Sequence, residues 1–144
     1  MRRAVLLGLS IALAAGAPAP AGAFQLASLL VGKLDPVQAK YRKGNVIRAH
    51  ASFGRDRSPA EAYRAALMKI AEMAEAKGYG RIGVTKVSDC GTLMMNGTIA
   101  VAVSCRILAQ MVRPGEAAKP EGDRKVVYFA VGELRAGIIR PEGD

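Results

Sequence analysis

SPAEAYRAALMKIAEMAEAKGYGRIGVTKVSDCGTLMMNGTIAVAVSC, residues 58–105, holds a capped helix followed by a hairpin, and the rest of the fold is read outward from it. Ser58-Pro59-Ala60-Glu61 is a capping box: the serine hydroxyl can take an orphan N–H of the first turn, Pro59 has no N–H to lose there, and Glu61 can reach back to the Ser58 N–H. The helix is predicted to run to about Lys77, with Gly78 ending it. Tyr63, Ala66, Leu67, Ile70 and Ala74 form its apolar stripe, and Glu61, Arg64, Glu72 and Glu75 lie largely opposite. So many alanines make a slim helix able to lie close against a sheet.

Arg81–Cys90 and Thr98–Met111 are predicted strands. Asn96-Gly97 between them suits a two-residue turn, because a type I′ turn needs positive φ at both positions. Upstream, Ile47, Ala49, Ala51 and Phe53 alternate with Val46, Arg48, His50 and Ser52, so residues 45–53 read as a strand with the first set facing a core. Downstream, Val126–Val131 (VVYFAV) is a further strand. Between residues 112 and 124, Pro114, Gly115, Pro120 and Gly122 indicate a flexible loop. The expected class is α+β, a small two-layer sandwich in the order β-α-β-β-β, with one helix packed on a mostly antiparallel sheet. The segment before it is read as an arm, residues 24–44. There Leu26, Leu29, Leu30 and Leu34 have loose helical spacing, and Asp35-Pro36-Val37-Gln38 resembles a second capping box opening a short helix that Gly44 ends. The α+β domain then covers residues 45–134, and residues 135–144 form a flexible tail.

The first 23 residues read as a signal peptide. Arg2 and Arg3 precede an uncharged run of twelve residues, Ala4–Ala15. That is too short to span a bilayer, which takes roughly 20 apolar residues. Ala21-Gly22-Ala23 then supplies a small-x-small cleavage pattern, placing the cut between Ala23 and Phe24. No cysteine lies near the cut to accept a lipid, and no later segment is long and apolar enough to cross a membrane. The expected location is therefore periplasmic or secreted.

Cys90 and Cys105 are the only cysteines, and an even count in an exported chain favours a disulfide. With a two-residue turn at Asn96-Gly97, Cys90 would face Val103 and Cys105 would face Ser88. The two cysteines would then be diagonal neighbours about 7–8 Å apart, slightly beyond disulfide reach. A bulge, or a longer turn through Leu93–Gly97, would bring them opposite each other.

Without the signal, 19 Lys and Arg stand against 12 Asp and Glu, a net charge of +7. Such a surface attracts anions. In an envelope compartment the expected partners are an anionic component such as lipid, lipopolysaccharide or cell-wall polymer, or an envelope protein. Lys40, Arg42, Lys43, Arg55 and Arg57 are the candidate contacts. Nucleic acid is not expected for an exported chain with three Phe, four Tyr and no Trp to stack on bases. Catalytic machinery is not legible. His50 is the single histidine, no Ser–His–acid set can be placed, and one His with two Cys falls short of a zinc site. Gly78-Tyr79-Gly80-Arg81 follows a helix instead of preceding one, unlike a phosphate loop. The expectation is a non-enzymatic binding protein without metal or cofactor.

An alanine-rich helix, a strand ending in Cys90, a turn and a strand carrying Cys105 together resemble the disulfide-bearing domain of RcsF-like envelope-stress sensors, and share the helix-then-strand rhythm of YbjQ-like α+β domains. The resemblance covers residues 58–111. It implies the same kind of fold, a Cys90–Cys105 bond and, as a second functional expectation, an envelope-stress or assembly factor acting through protein contacts. Two departures weaken the functional half: RcsF-like sensors are lipoproteins with two disulfides, and this chain offers neither a lipid-acceptor cysteine nor a second bridge.

Overall fold

A computed structural model describes residues 36–143; the expected signal peptide at residues 1–23, its expected cut between Ala23 and Phe24 and the leucines of the arm lie outside the described residues. Five strands and two helices follow in order: β1 Val37–Arg42, β2 Val46–Gly54, α1 Pro59–Ala76, β3 Arg81–Met95, β4 Ile99–Val112, β5 Val127–Ala130 and α2 Val131–Arg135. The strands form one sheet in the order β1-β2-β4-β3-β5, antiparallel at every junction. The fold class is therefore the expected α+β, enlarged by a strand and a short helix.

The helix boundaries follow from the capping chemistry. Ser58 Oγ accepts the Glu61 N–H at 3.2 Å, and the Ser58 N–H donates to Glu61 Oε2 at 2.7 Å. At the other end Gly78 takes φ +78, and its N–H and that of Tyr79 donate to the Glu75 and Ala74 carbonyls, the two bonds of a Schellman motif. Ala62, Ala66, Leu67, Ile70, Ala71 and Ala74 are buried. Four of these six are alanines, so the helix backbone lies close to the Ile47, Ala49, Ala51, Cys105, Ile107 and Ala109 side chains of β2 and β4, and Ile82, Phe129 and Leu134 extend the same core. Tyr63, expected on the stripe, sits half-buried at its margin.

Three expectations need correction. Residues 37–42 are strand, not helix: Val37, Ala39 and Tyr41 alternate with Gln38, Lys40 and Arg42, and the segment hydrogen-bonds along the β2 edge from Val37↔Ala51 to Arg42↔Val46. Pro36 and Gln38 mimic a capping box, but the backbone groups of β2 need a partner, and pairing prevails over local propensity. Gly44 and Asn45, both at positive φ, turn the chain between β1 and β2, so the glycine serves a hairpin.

The connection after β4 is pinned to the sheet. The Ala118 N–H donates to the Tyr128 hydroxyl at 3.0 Å, and the Lys119 N–H donates to Gln110 Oε1 at 2.9 Å. Ala118 packs directly over β3 at Gly83, where a Cβ would lie 2.7 Å from the Ala118 Cβ and 2.9 Å from Val126 Cγ1.

The tail is also docked. The Glu142 N–H donates to the Tyr128 carbonyl, and the Glu142 carboxylate pairs with Arg81 at 2.6 Å. Arg64 reaches the Gly137 carbonyl at 2.9 Å, and Val131 and Leu134 of α2 are buried.

The central hairpin closes as expected at Asn96 and Gly97, whose φ values are 52° and 71°, with the Thr98 N–H donating to the Met95 carbonyl. Its ladder, however, pairs Met95 with Ile99, one residue beyond the register of a two-residue loop. Further irregularities follow at Leu93/Met94, between Ser88 and Gly91, and between Val84 and Lys86.

Candidate functional site: the open face of the sheet

The irregularity between Ser88 and Gly91 positions the disulfide. Ser88 pairs with Arg106 and Gly91 with Ser104, so Asp89 and Cys90 together oppose Cys105. Asp89 takes the left-handed conformation, φ 53, as the first residue of such a bulge often does. Its carbonyl accepts the Ser104 hydroxyl at 3.1 Å, and its carboxylate pairs with Arg106 at 3.0 Å. The extra residue moves Cys90 from a diagonal position to one opposite Cys105, and the bond forms. Cys105 is fully buried and Cys90 is exposed.

One face of the sheet is covered by α1. Across the other, the register aligns side chains in rows. Lys40 of β1 lies directly opposite Arg48 of β2; Arg48 opposes Leu108 of β4, and Leu108 opposes Lys86 of β3. The next row is Gln38, His50, Arg106 and Ser88. Arg42 adds a cation on the far side of the first row. Arg42, Arg48, Lys86, Ser88, Arg106, Leu108 and Glu121 line a shallow depression of about 240 Å³, below the roughly 300–1,000 Å³ of a pocket that encloses a small molecule. It suits a compact anionic group resting on a surface.

The face carries five cations, Lys40, Arg42, Arg48, Lys86 and Arg106, against two carboxylates. Glu121 pairs with Lys86 at 3.4 Å, and Asp89 pairs with Arg106. Five minus two leaves an excess of +3, held by Lys40, Arg42 and Arg48, which have no carboxylate partner among the described residues. Two of these, Lys40 and Arg48, are a like-charge pair opposite each other across antiparallel strands, an arrangement that costs stability.

The expected contact residues do not form one group. Lys40 and Arg42 belong to this face, and Lys43 lines a second depression with Lys119 and Glu121 at the turn end. Arg55 and Arg57 lie past the opposite end of β2, a strand of nine residues and so about 30 Å long. Arg57 is engaged with Glu61 at 3.4 Å and stacks over the Phe53 ring at 5.7 Å. Arg48, Lys86 and Arg106 complete the cluster. Alternation in the sequence places Arg48 on the solvent side, but only the β1–β2 register sets it against Lys40. His50 sits between Gln38 and Arg106 in the second row. Among the described residues no group of three or more His, Cys, Asp or Glu converges as a metal site would, and no helix is long and apolar enough to cross a membrane.

No family model matches the chain, and neither the curated proteins nor the solved structures contain a match to it.

Proposed function

We propose that this chain is an exported, non-enzymatic binding protein whose open sheet face holds a phosphate-bearing component of the cell envelope. The observation that carries this reading is the unneutralised excess at Lys40, Arg42 and Arg48. Two of these cations face each other across a strand pair at a cost in stability, and an anionic ligand would turn that repulsion into attraction. Arginine provides the planar fork that matches phosphate oxygens, and the shallow depression favours a headgroup or polymer phosphate over an enclosed metabolite. Export is supported by the leader-like first 23 residues and by the disulfide, which oxidising compartments favour.

Phosphate can come from a lipid headgroup or from a cell-wall polymer, and two probes separate them. Soluble polyphosphate and phosphatidylglycerol vesicles are each titrated into the protein from Phe24 onward, with backbone amides followed by NMR. Either source should shift Lys40, Arg48 and Arg106 and leave α1 unmoved. A polymer ligand is favoured if polyphosphate saturates these shifts, a lipid if vesicles alone do. Absence of shifts with both probes at low salt removes the proposal.

A further inference from the structure

The sixteen residues from Cys90 to Cys105 contain no charged side chain, in a chain where 23% of residues are charged. They form the outer part of the β3–β4 hairpin. β2 covers the β4 edge only from Ala102 onward, and β5 covers the β3 edge only from Arg81 to Val84. The tip therefore projects as a two-stranded ribbon. Along it Leu93 is 61% exposed, Met95 50%, Ile99 48% and Met94 46%. An exposed apolar cluster of this kind marks an interaction site.

Two features indicate what covers it. Met94 and Met95 are consecutive in a strand, so they project from opposite faces of the ribbon; both are exposed. A partner with a flat surface or a groove would cover one face, whereas a fluid apolar medium takes both. One arginine also flanks the root, next to Asp56: Gly54 pairs with Ala102, so Arg55 follows at the level where the ribbon leaves the sheet, and Ala102 is three residues, about 10 Å, from Ile99. An uncharged apolar tip with Arg55 at its root matches the layering of an anionic bilayer surface, apolar inside and negative at the headgroups.

We infer that the β3–β4 hairpin tip, Leu93–Val101, inserts into the interface of an anionic lipid bilayer, with Arg55 at headgroup level. The inference stands on its own observations and holds whether or not the open face binds phosphate.

The chain contains no tryptophan, so a single introduced one reports its own surroundings. The test uses the disulfide-bonded protein from Phe24 onward as Leu93→Trp, with Ile138→Trp as control. Ile138 is exposed and follows β5, at the opposite end of β3 from the tip. Vesicles mix phosphatidylglycerol with phosphatidylcholine, with and without brominated acyl chains. The expected result is blue-shifted emission and bromine quenching at position 93, neither at position 138, and about tenfold weaker vesicle partitioning for Leu93→Asp, reflecting the lost burial of one leucine. Three results overturn the inference. One is unchanged emission at position 93. Another is equal quenching at both positions. The third is blue emission at position 93 without vesicles that grows with protein concentration, which would show a second copy covering the tip.

Discussion

Replacing Cys90 with serine isolates the contribution of the disulfide. Cys90 is exposed, so the serine hydroxyl meets water, and Cys105 stays in the core as a buried thiol, which packs as a small apolar group. Native packing is thus nearly preserved, and the change falls on the unfolded chain. The bond joins residues 15 apart, and closing a loop of that size stabilises the fold by about 3 kcal/mol in the chain-entropy treatment. Against a typical total of roughly 5–15 kcal/mol this is a large share. For a domain of about 100 residues, at roughly 4 °C per kcal/mol, the melting midpoint should fall by about 12 °C. The assay is thermal unfolding followed by circular dichroism, with wild type measured oxidised and reduced beside Cys90→Ser. Reduced wild type and Cys90→Ser should coincide, both well below the oxidised protein. A Cys90→Ser midpoint equal to that of oxidised wild type would refute the reasoning, because the bond would then be absent or constrain nothing.

Other expectations are equally direct. Gly83→Ala should cost about 1–3 kcal/mol in chemical denaturation, because its methyl meets Ala118, Val126 and Tyr128 at 2.7–3.0 Å. Arg48→Gln should gain a few tenths of a kcal/mol, up to about 1, by relieving the repulsion with Lys40, while weakening anion binding; a loss of stability would contradict the like-charge account. Ser58→Ala should cost about 1 kcal/mol through the lost cap. The Ser58 backbone N–H, joined by its hydroxyl and Arg57, holds the Glu61 carboxyl below the ordinary glutamate range. Across that window the unfolded chain binds more protons, so the Glu61 contribution is present above the unfolded pKa and disappears as pH falls through the folded value. Carboxyl NMR titration should show the lowered pKa, and Glu61→Gln should remove that part of the acid sensitivity.

What could be read from the residues was what local chemistry determines. The Ser58–Glu61 box, Gly78, the Asn96-Gly97 turn and the alternation of Ile47, Ala49 and Ala51 each carry their own physical signal. Even the need for an irregularity between Cys90 and Cys105 follows from counting residues along the hairpin, although its location at Asp89 does not. β1 escaped because Pro36 and Gln38 imitate a helix start, while the force that makes residues 37–42 a strand is the unpaired edge of β2. The 112–124 connection and the tail read as flexible because their anchors, Tyr128, Gln110 and Arg64, are distant partners with no local signature. The candidate site was half legible for the same reason. Lys40, Arg42, Arg55 and Arg57 are near in sequence, but β2 carries the second pair to the other end of the sheet, while β3 and β4 deliver Lys86 and Arg106 from much further along the chain.

The open face is tested most directly by polyphosphate affinity measured at low and high salt for wild type and Lys40→Glu/Arg48→Glu. The account predicts wild-type binding that weakens as salt rises and falls at least about tenfold in the double variant, because two attractive contacts become repulsive. Equal affinity in the two proteins, or binding indifferent to salt, would contradict it.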